Sequence, residues 1–181
     1  MKLLMVFANG FEDVEAIATR DVLIRGGIEV VDATINEDGN VTASHKINLT
    51  GLKRLSDLDL SSFEGIILPG GSLGVQNLLR SDLVDKVVKE FYSSNHLVCA
   101  ICAAPMVLAK AGILKGKRFT CYPGCEVGLD GIYTGEEVVV LDKIITGRSM
   151  LYSVPFGLAI LEKLKGKEIR DKIYRQIAGI K

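Results

Sequence analysis

Lys2–Ala8 is an almost unbroken apolar run, and the chain beyond it alternates short runs of this kind with amphipathic stretches. A run this short, stopped by Asn9-Gly10, predicts a strand buried on both faces. From Asp13 to Arg25, Val14, Ile17, Ala18 and Val22 recur at helical spacing, and Gly26-Gly27 stands where a C-cap pair would. Ile28–Thr34 predicts the next strand, followed by a polar, hairpin-like stretch around Asp38-Gly39-Asn40. Gly65–Leu68 predicts a third buried strand, broken by a loop that begins at Pro69-Gly70-Gly71 and includes Ser72-Leu73-Gly74. Asp82–Tyr92 is helical by spacing, and the strand Leu97–Ile101 leads directly into an apolar helix, Ala103–Ala109. Strand-like segments Glu136–Leu141 and Lys143–Thr146 follow. Helices of about Leu151–Lys165 and Lys167–Ile177 close the pattern, the second with a stripe of Ile169, Ile173 and Ile177.

Repetition of strand, helix and strand predicts an α/β three-layer fold with a mainly parallel central sheet. In such sheets the ligand site lies beyond the carboxyl ends of the strands. Three of those ends are chemically unusual here: Asn9–Glu15, Pro69-Gly70-Gly71 and Cys102. No linker or internal repeat interrupts the pattern, so residues 1–181 read as a single domain.

Composition narrows the function classes. A hydrophobic fraction of 48% excludes a disordered chain, and 22 basic residues against 22 acidic ones leave no field to gather nucleic acid or anionic membrane. The first apolar run is too short to span a bilayer and lacks a cleavage pattern, so a cytoplasmic location is expected. Four Cys without an export signal fit a reducing compartment.

Cys102 falls at a strand-to-helix junction among small residues, Ala100-Ile101-Cys102-Ala103-Ala104-Pro105. A nucleophile on such an elbow is held on strained backbone, and the N–H groups of the following helix favour the thiolate. Against that stands the ordinary role of a free Cys as a small buried hydrophobe. Glu15, in the first turn of the first helix, could be a simple dipole-stabilising acid, as Glu12 or Asp13 could. Its place at the edge of the buried face instead suits a carboxyl that shares a proton with a thiol. The loop Pro69-Gly70-Gly71-Ser72-Leu73-Gly74 lacks the spacing of a dinucleotide fingerprint or a phosphate loop, and reads as a source of N–H groups for an oxyanion. Cys99 and Cys102 with Cys121 and Cys125 imitate zinc spacing, but Cys99 lies in an apolar strand rather than a knuckle, so no metal is expected. Cys121 is a candidate partner for an oxidised Cys102. The charge run Lys163–Arg175 reads as a solvated helix face.

These residues resemble the ThiJ/PfpI superfamily, in the branch of the Parkinson-disease protein deglycase and bacterial ThiJ-type proteins. Its motifs are matched by Gly10-Phe11-Glu12-Asp13-Val14-Glu15, Ile67-Leu68-Pro69-Gly70-Gly71-Ser72-Leu73-Gly74, Ala100–Pro105 and Thr146-Gly147-Arg148, spread over about residues 2–167. The resemblance implies a flavodoxin-like sandwich, a homodimer, and no cofactor. It implies that Cys102 is the elbow nucleophile, Glu15 its carboxyl partner, and Gly71 and Ala103 the donors facing the reacting oxygen. It also implies a pocket drawing on Gly70, Tyr122, Arg148 and His45. The activity implied is conversion of 2-oxoaldehydes such as methylglyoxal to 2-hydroxy acids, extending to glycated adducts; the alternative is redox sensing by the same Cys. Tyr122 stands where many relatives have a His, His45 where they often have an Arg, and Ser149-Met150 where they have Gly-Pro. The protease-like branch has a His after its Cys, where this chain has Ala103. Without the His at 122, Glu15 is expected to act alone as acid and base.

Overall fold

The computed structural model describes residues 1–180. In chain order the strands and helices are β1 (Lys2–Phe7), α1 (Asp13–Arg25), β2 (Glu29–Thr34), β3 (Val41–Thr42), β4 (Asn48–Leu49), β5 (Lys53–Arg54) and β6 (Gly65–Leu68). They continue with α2 (Ser72–Arg80), α3 (Asp82–Ser93), β7 (Leu97–Ile101), α4 (Pro105–Lys110), β8 (Arg118–Phe119), β9 (Ile132–Tyr133), β10 (Val138–Val140), β11 (Ile144–Gly147), α5 (Ser153–Lys165) and α6 (Lys167–Ala178). Seven strands form the main sheet in the order β10-β11-β7-β6-β1-β2-β5, parallel except for β10.

Alternation along the central strands builds two cores. Leu4, Val6 and Ala8 face one side together with Ile66, Leu68, Val98 and Ala100, where α2, α3 and α4 cover them. Leu3, Met5 and Phe7 face the other with Ile67, Cys99 and Ile101, beneath α1, α5 and α6. Register holds the rows together: Leu4 pairs with Val31 and Ile66, Ile66 with Val98, and Val98 with Ile144. Each fully buried Phe or Leu removed from water in these rows contributes about 1.5–3 kcal/mol.

Two sequence expectations change. Val14 and Ile17, assigned by spacing to the buried stripe of α1, are exposed; the helix buries Asp13, Glu15, Ala16, Thr19, Val22 and Leu23 instead. The rotation follows from close packing against α5, where a Cβ on Gly157 would stand 3.1 Å from that of Val22 and 3.3 Å from the Thr19 carbonyl oxygen. The loop expected through Gly74 ends at Gly71, and Ser72 opens α2. Gly74 serves contact rather than flexibility: a Cβ there would lie 2.7 Å from the Phe11 nitrogen and 2.8 Å from its Cα. Smaller boundary shifts place α4 at Pro105 and α5 at Ser153.

Gly74→Ala is therefore expected to force α2 away from the Gly10–Phe11 turn and to cost about 1–3 kcal/mol. Urea unfolding checks this, and an unchanged midpoint would show that the turn yields freely.

Candidate active site

β7 ends at Ile101, and the next residue must turn the chain into α4 with no glycine available. Cys102 does so at φ 64°, a left-handed conformation that costs a non-glycine residue roughly 1–2 kcal/mol. Its backbone is fixed on both sides: its N–H donates to the Gly147 carbonyl at 2.9 Å, and its carbonyl accepts the Tyr122 N–H at 2.9 Å. The backbone N–H groups of Ala103 and Gly71 lie near enough to the sulfur to favour its ionised form.

Glu15 reaches the same point from α1. The helix is capped by Glu12, whose Oε2 accepts the Glu15 N–H at 2.6 Å, and the Glu15 side chain then turns inward to 1% exposure. Oε2 accepts the Gly70 N–H at 3.0 Å, whereas Oε1 is buried with no hydrogen-bond partner. The carboxyl lies close enough to the Cys102 thiol for each to shift the other's ionisation. Gly70 has no alternative residue: a Cβ would strike the Glu15 carboxylate and stand 2.7 Å from Cys102 Cβ. Gly71 adopts φ 97° and presses against the Gly10 carbonyl, and the Glu12 N–H donates to the Gly70 carbonyl at 3.0 Å.

Burial raises both acids. Desolvation pushes Glu15 up to about 7, with the Glu12 charge adding to it, and the neighbouring Cys102 thiol and the Gly70 N–H only partly oppose this. Desolvation and then the Glu15 carboxylate push the Cys102 thiol up as well, outweighing the Ala103 and Gly71 N–H groups. Against the thiolate expected from the helix N-terminus stand two features that raise the thiol: the helix proper begins three residues later, and a buried carboxylate lies near the sulfur. Each group's ionisation therefore bears on the other's, and the two are read as an interacting pair raised by burial.

Cys102, Gly71, Ala103, His45 and Tyr122 line a cavity of about 610 Å³, with Glu15 and Gly70 packed beneath Cys102. Arg148 is not among the cavity residues. Its guanidinium donates to the Gly135 carbonyl at 2.9 Å and to the Tyr152 hydroxyl at 2.7 Å, and lies over the Tyr152 ring. Sequence reasoning passed over Ser44, Met106 and Cys125 in the cavity wall, and Asp13, whose single oxygen Oδ2 accepts from the His45 backbone N–H at 3.1 Å and meets its Nδ1 at 3.0 Å. Ser44 and Asp13 reach the site from a hairpin turn and a helix start distant from Cys102 in sequence, whereas Met106 and Cys125 stand within four residues of Cys102 and Tyr122.

Glu12, Asp13 and His45 present donor atoms within 4.8 Å of one another, the one such group of three among the described residues, and it contains no Cys. Hydrogen bonds account for the grouping: Asp13 Oδ2 is engaged by His45, and Glu12 Oε2 by the Glu15 N–H. Cys99 and Cys121 are buried, Cys121 pushed up to about 12 by desolvation and by Cys125 and Glu126 nearby.

The Glu15 shift carries a stability consequence. A folded-state value above the unfolded 4.5 means that the native state holds the proton more tightly, so stability falls as pH rises from 4.5 through 7. Glu15→Gln removes this loss, and its unfolding free energy relative to wild type is expected to rise by about 3 kcal/mol between the two limits. Urea titrations at both ends measure it; a difference independent of pH would mean that the carboxyl is not strained.

Residues 1–163 match the DJ-1/PfpI family. The chain is 36% identical to protein dj-1beta of Drosophila melanogaster, covering 91% of this chain and 90% of that protein, and 32% identical to the Parkinson disease protein 7 homolog of Danio rerio, covering 95% and 94%. It is 36% identical to the DJ-1 homolog B of Arabidopsis thaliana, of which it spans only 39%. The crystal structure of Drosophila DJ-1beta superposes with a TM-score of 0.91 at 33% identity, covering 99% and 98% of the two chains. Oxidised DJ-1 from Toxoplasma gondii gives 0.91 at 29%, covering 98% and 97%. With the family matched over nine-tenths of its length and the same architecture in its relatives, the chain belongs to the DJ-1/PfpI family.

Proposed function

We propose that this chain is a cofactor-independent glyoxalase that converts 2-oxoaldehydes such as methylglyoxal to 2-hydroxy acids, and acts on glycated adducts of the same type. The observation that carries the reading is the coupled Glu15–Cys102 pair beneath an open cavity, with the N–H groups of Gly71 and Ala103 turned to the sulfur. As Cys102 Sγ adds to the aldehyde carbon, its proton passes through Glu15 to the new hydroxyl, and the oxyanion that precedes it is held by Gly71 and Ala103. Glu15, again a carboxylate, removes the proton from the former aldehyde carbon and delivers it to the adjacent one through an enediol. A thioester on Cys102 results, and water releases the hydroxy acid. A carboxyl near 7 is suited to this because it gives and takes protons with little cost in either direction.

The second reading is a redox-responsive protective protein in which Cys102 is oxidised and nothing is turned over. Similarity to an oxidised DJ-1 structure supports it. The upward shift of the Cys102 thiol bears on both readings alike, because oxidation and addition to an aldehyde both proceed through the thiolate; the Glu15 carboxyl beside it, able to take the thiol proton, favours turnover. A homodimer fits the apolar outer face of α1, where Val14, Ile17 and Ile24 are each more than two-fifths exposed. A reducing, cytoplasmic compartment fits four free thiols, and no helix among the described residues is long and apolar enough to cross a membrane.

Cys102→Ser is expected to abolish lactate formation from methylglyoxal, and Glu15→Gln to lower kcat by about 10²-fold or more. Undiminished turnover in Cys102→Ser would sink the mechanism. Ile17→Asp is expected to shift the protein from dimer to monomer in sedimentation, and an unchanged mass would place the interface elsewhere.

A further inference from the structure

Chemistry at two adjacent carbons asks for an acid at the ketone oxygen while Glu15 works at the carbon. The chain has two His, and His96 does not line the cavity but stands edge-on to Phe91 with ring centroids 5.7 Å apart. His45 lines the cavity together with Cys102.

Its surroundings are built. His45 sits in the turn between β3 and β4, and Ser44 ties that turn to the strand-end loop beside Cys102: its N–H donates to the Phe11 carbonyl at 2.8 Å, and its hydroxyl, 3.0 Å from the Gly10 and Phe11 carbonyls, shares its one proton between them. Below the turn, the Asp13 side chain is 8% exposed, while that of His45 is 75% exposed. Burial acts to raise Asp13, but the His45 side-chain and backbone hydrogen bonds outweigh it and hold the carboxyl below its ordinary range. An ionised carboxylate only accepts, so the Nδ1 contact at 3.0 Å must be an N–H donation. Nε2 is then left as the working nitrogen, the arrangement by which a buried Asp fixes the tautomer of a catalytic His.

We propose that His45 is the general acid–base group for the substrate's ketone oxygen and for the hydrolytic water, and that Asp13 is its positioning residue. The assignment rests on the glyoxalase reading. In the first half-reaction Glu15 takes the C1 proton of the hemithioacetal while protonated His45 gives its Nε2 proton to the C2 oxygen, forming the enediol. Glu15 then protonates C2 and accepts the C1 hydroxyl proton, leaving the thioester with its C2 hydroxyl. In the second half-reaction neutral His45 takes a proton from water as the hydroxide adds to the thioester carbonyl. The C–S bond breaks, the departing sulfur regains its proton from Glu15, and the hydroxy acid leaves. Both groups return to their starting states, and the sum is 2-oxoaldehyde plus water to 2-hydroxy acid. The work expected of Glu15 alone is thereby divided: carbon protons to Glu15, oxygen and water protons to His45.

The test compares His45→Gln, His45→Ala and Asp13→Asn with wild type on methylglyoxal. A kcat about 10²-fold lower in His45→Gln is expected, with KM within about twofold and the thermal midpoint unchanged, and added imidazole should restore part of the rate in His45→Ala. A kcat within about twofold of wild type, or a loss seen only in KM or folding, would overturn the assignment. Nitrogen-15 NMR of the imidazole tests the pair without turnover. Wild type should show the Nδ1–H tautomer at alkaline pH and Asp13→Asn should lose it; an Nε2–H tautomer in wild type would contradict the pair. Should Cys102→Ser retain turnover while that tautomer holds, the glyoxalase mechanism fails and the His45–Asp13 geometry stands.

Discussion

Placing a buried carboxyl against a thiol brings three separate strand ends into backbone contact, and the rest of the site depends on that approach. Gly70 lies between the Glu15 carboxylate and Cys102 with no room for a Cβ, and Gly71 and Gly74 press on the Gly10–Glu12 segment. The Gly70 N–H holds Glu15, and the Gly70 carbonyl holds the Glu12 N–H, so one residue ties the start of α1 to the end of β6. The sheet supplies the rigidity. β1, β6 and β7 are neighbours, each buried on both faces, so their carboxyl ends have little freedom to separate.

Function draws on the cost of that burial. An exposed glutamate titrates too low to exchange protons at neutral pH, and desolvation is what brings Glu15 to about 7. The same burial, with the Glu15 carboxylate beside it, raises the thiol. Backbone strain at Cys102 and the unpartnered Glu15 Oε1 are further local costs concentrated where the chemistry is placed.

The parts of this arrangement carried by local pattern were legible in the sequence. Continuous apolar runs marked β1, β6 and β7, and the small residues around Cys102 marked the elbow. Helix α2 was not legible, because the glycines of Gly71-Ser72-Leu73-Gly74 look like loop residues when their purpose is close contact. The buried face of α1 was misread because apolar spacing names the wrong side: tertiary packing buries Asp13, Glu15 and Thr19 and leaves Val14 and Ile17 outside. Asp13 and His45 are 32 residues apart, and only the strand-end geometry pairs them. Arg148 was drawn toward the pocket by resemblance, while its guanidinium is engaged by Gly135 and Tyr152.

The central claim is that Glu15 and Cys102 share their protons as one buried site. Infrared difference spectra of wild type against Glu15→Gln, collected across a pH series, read the Glu15 carboxyl directly. A protonated carboxyl band that disappears with a midpoint near 7 is predicted. Loss of that band near 4.5, the value of an ordinary glutamate, would contradict the account.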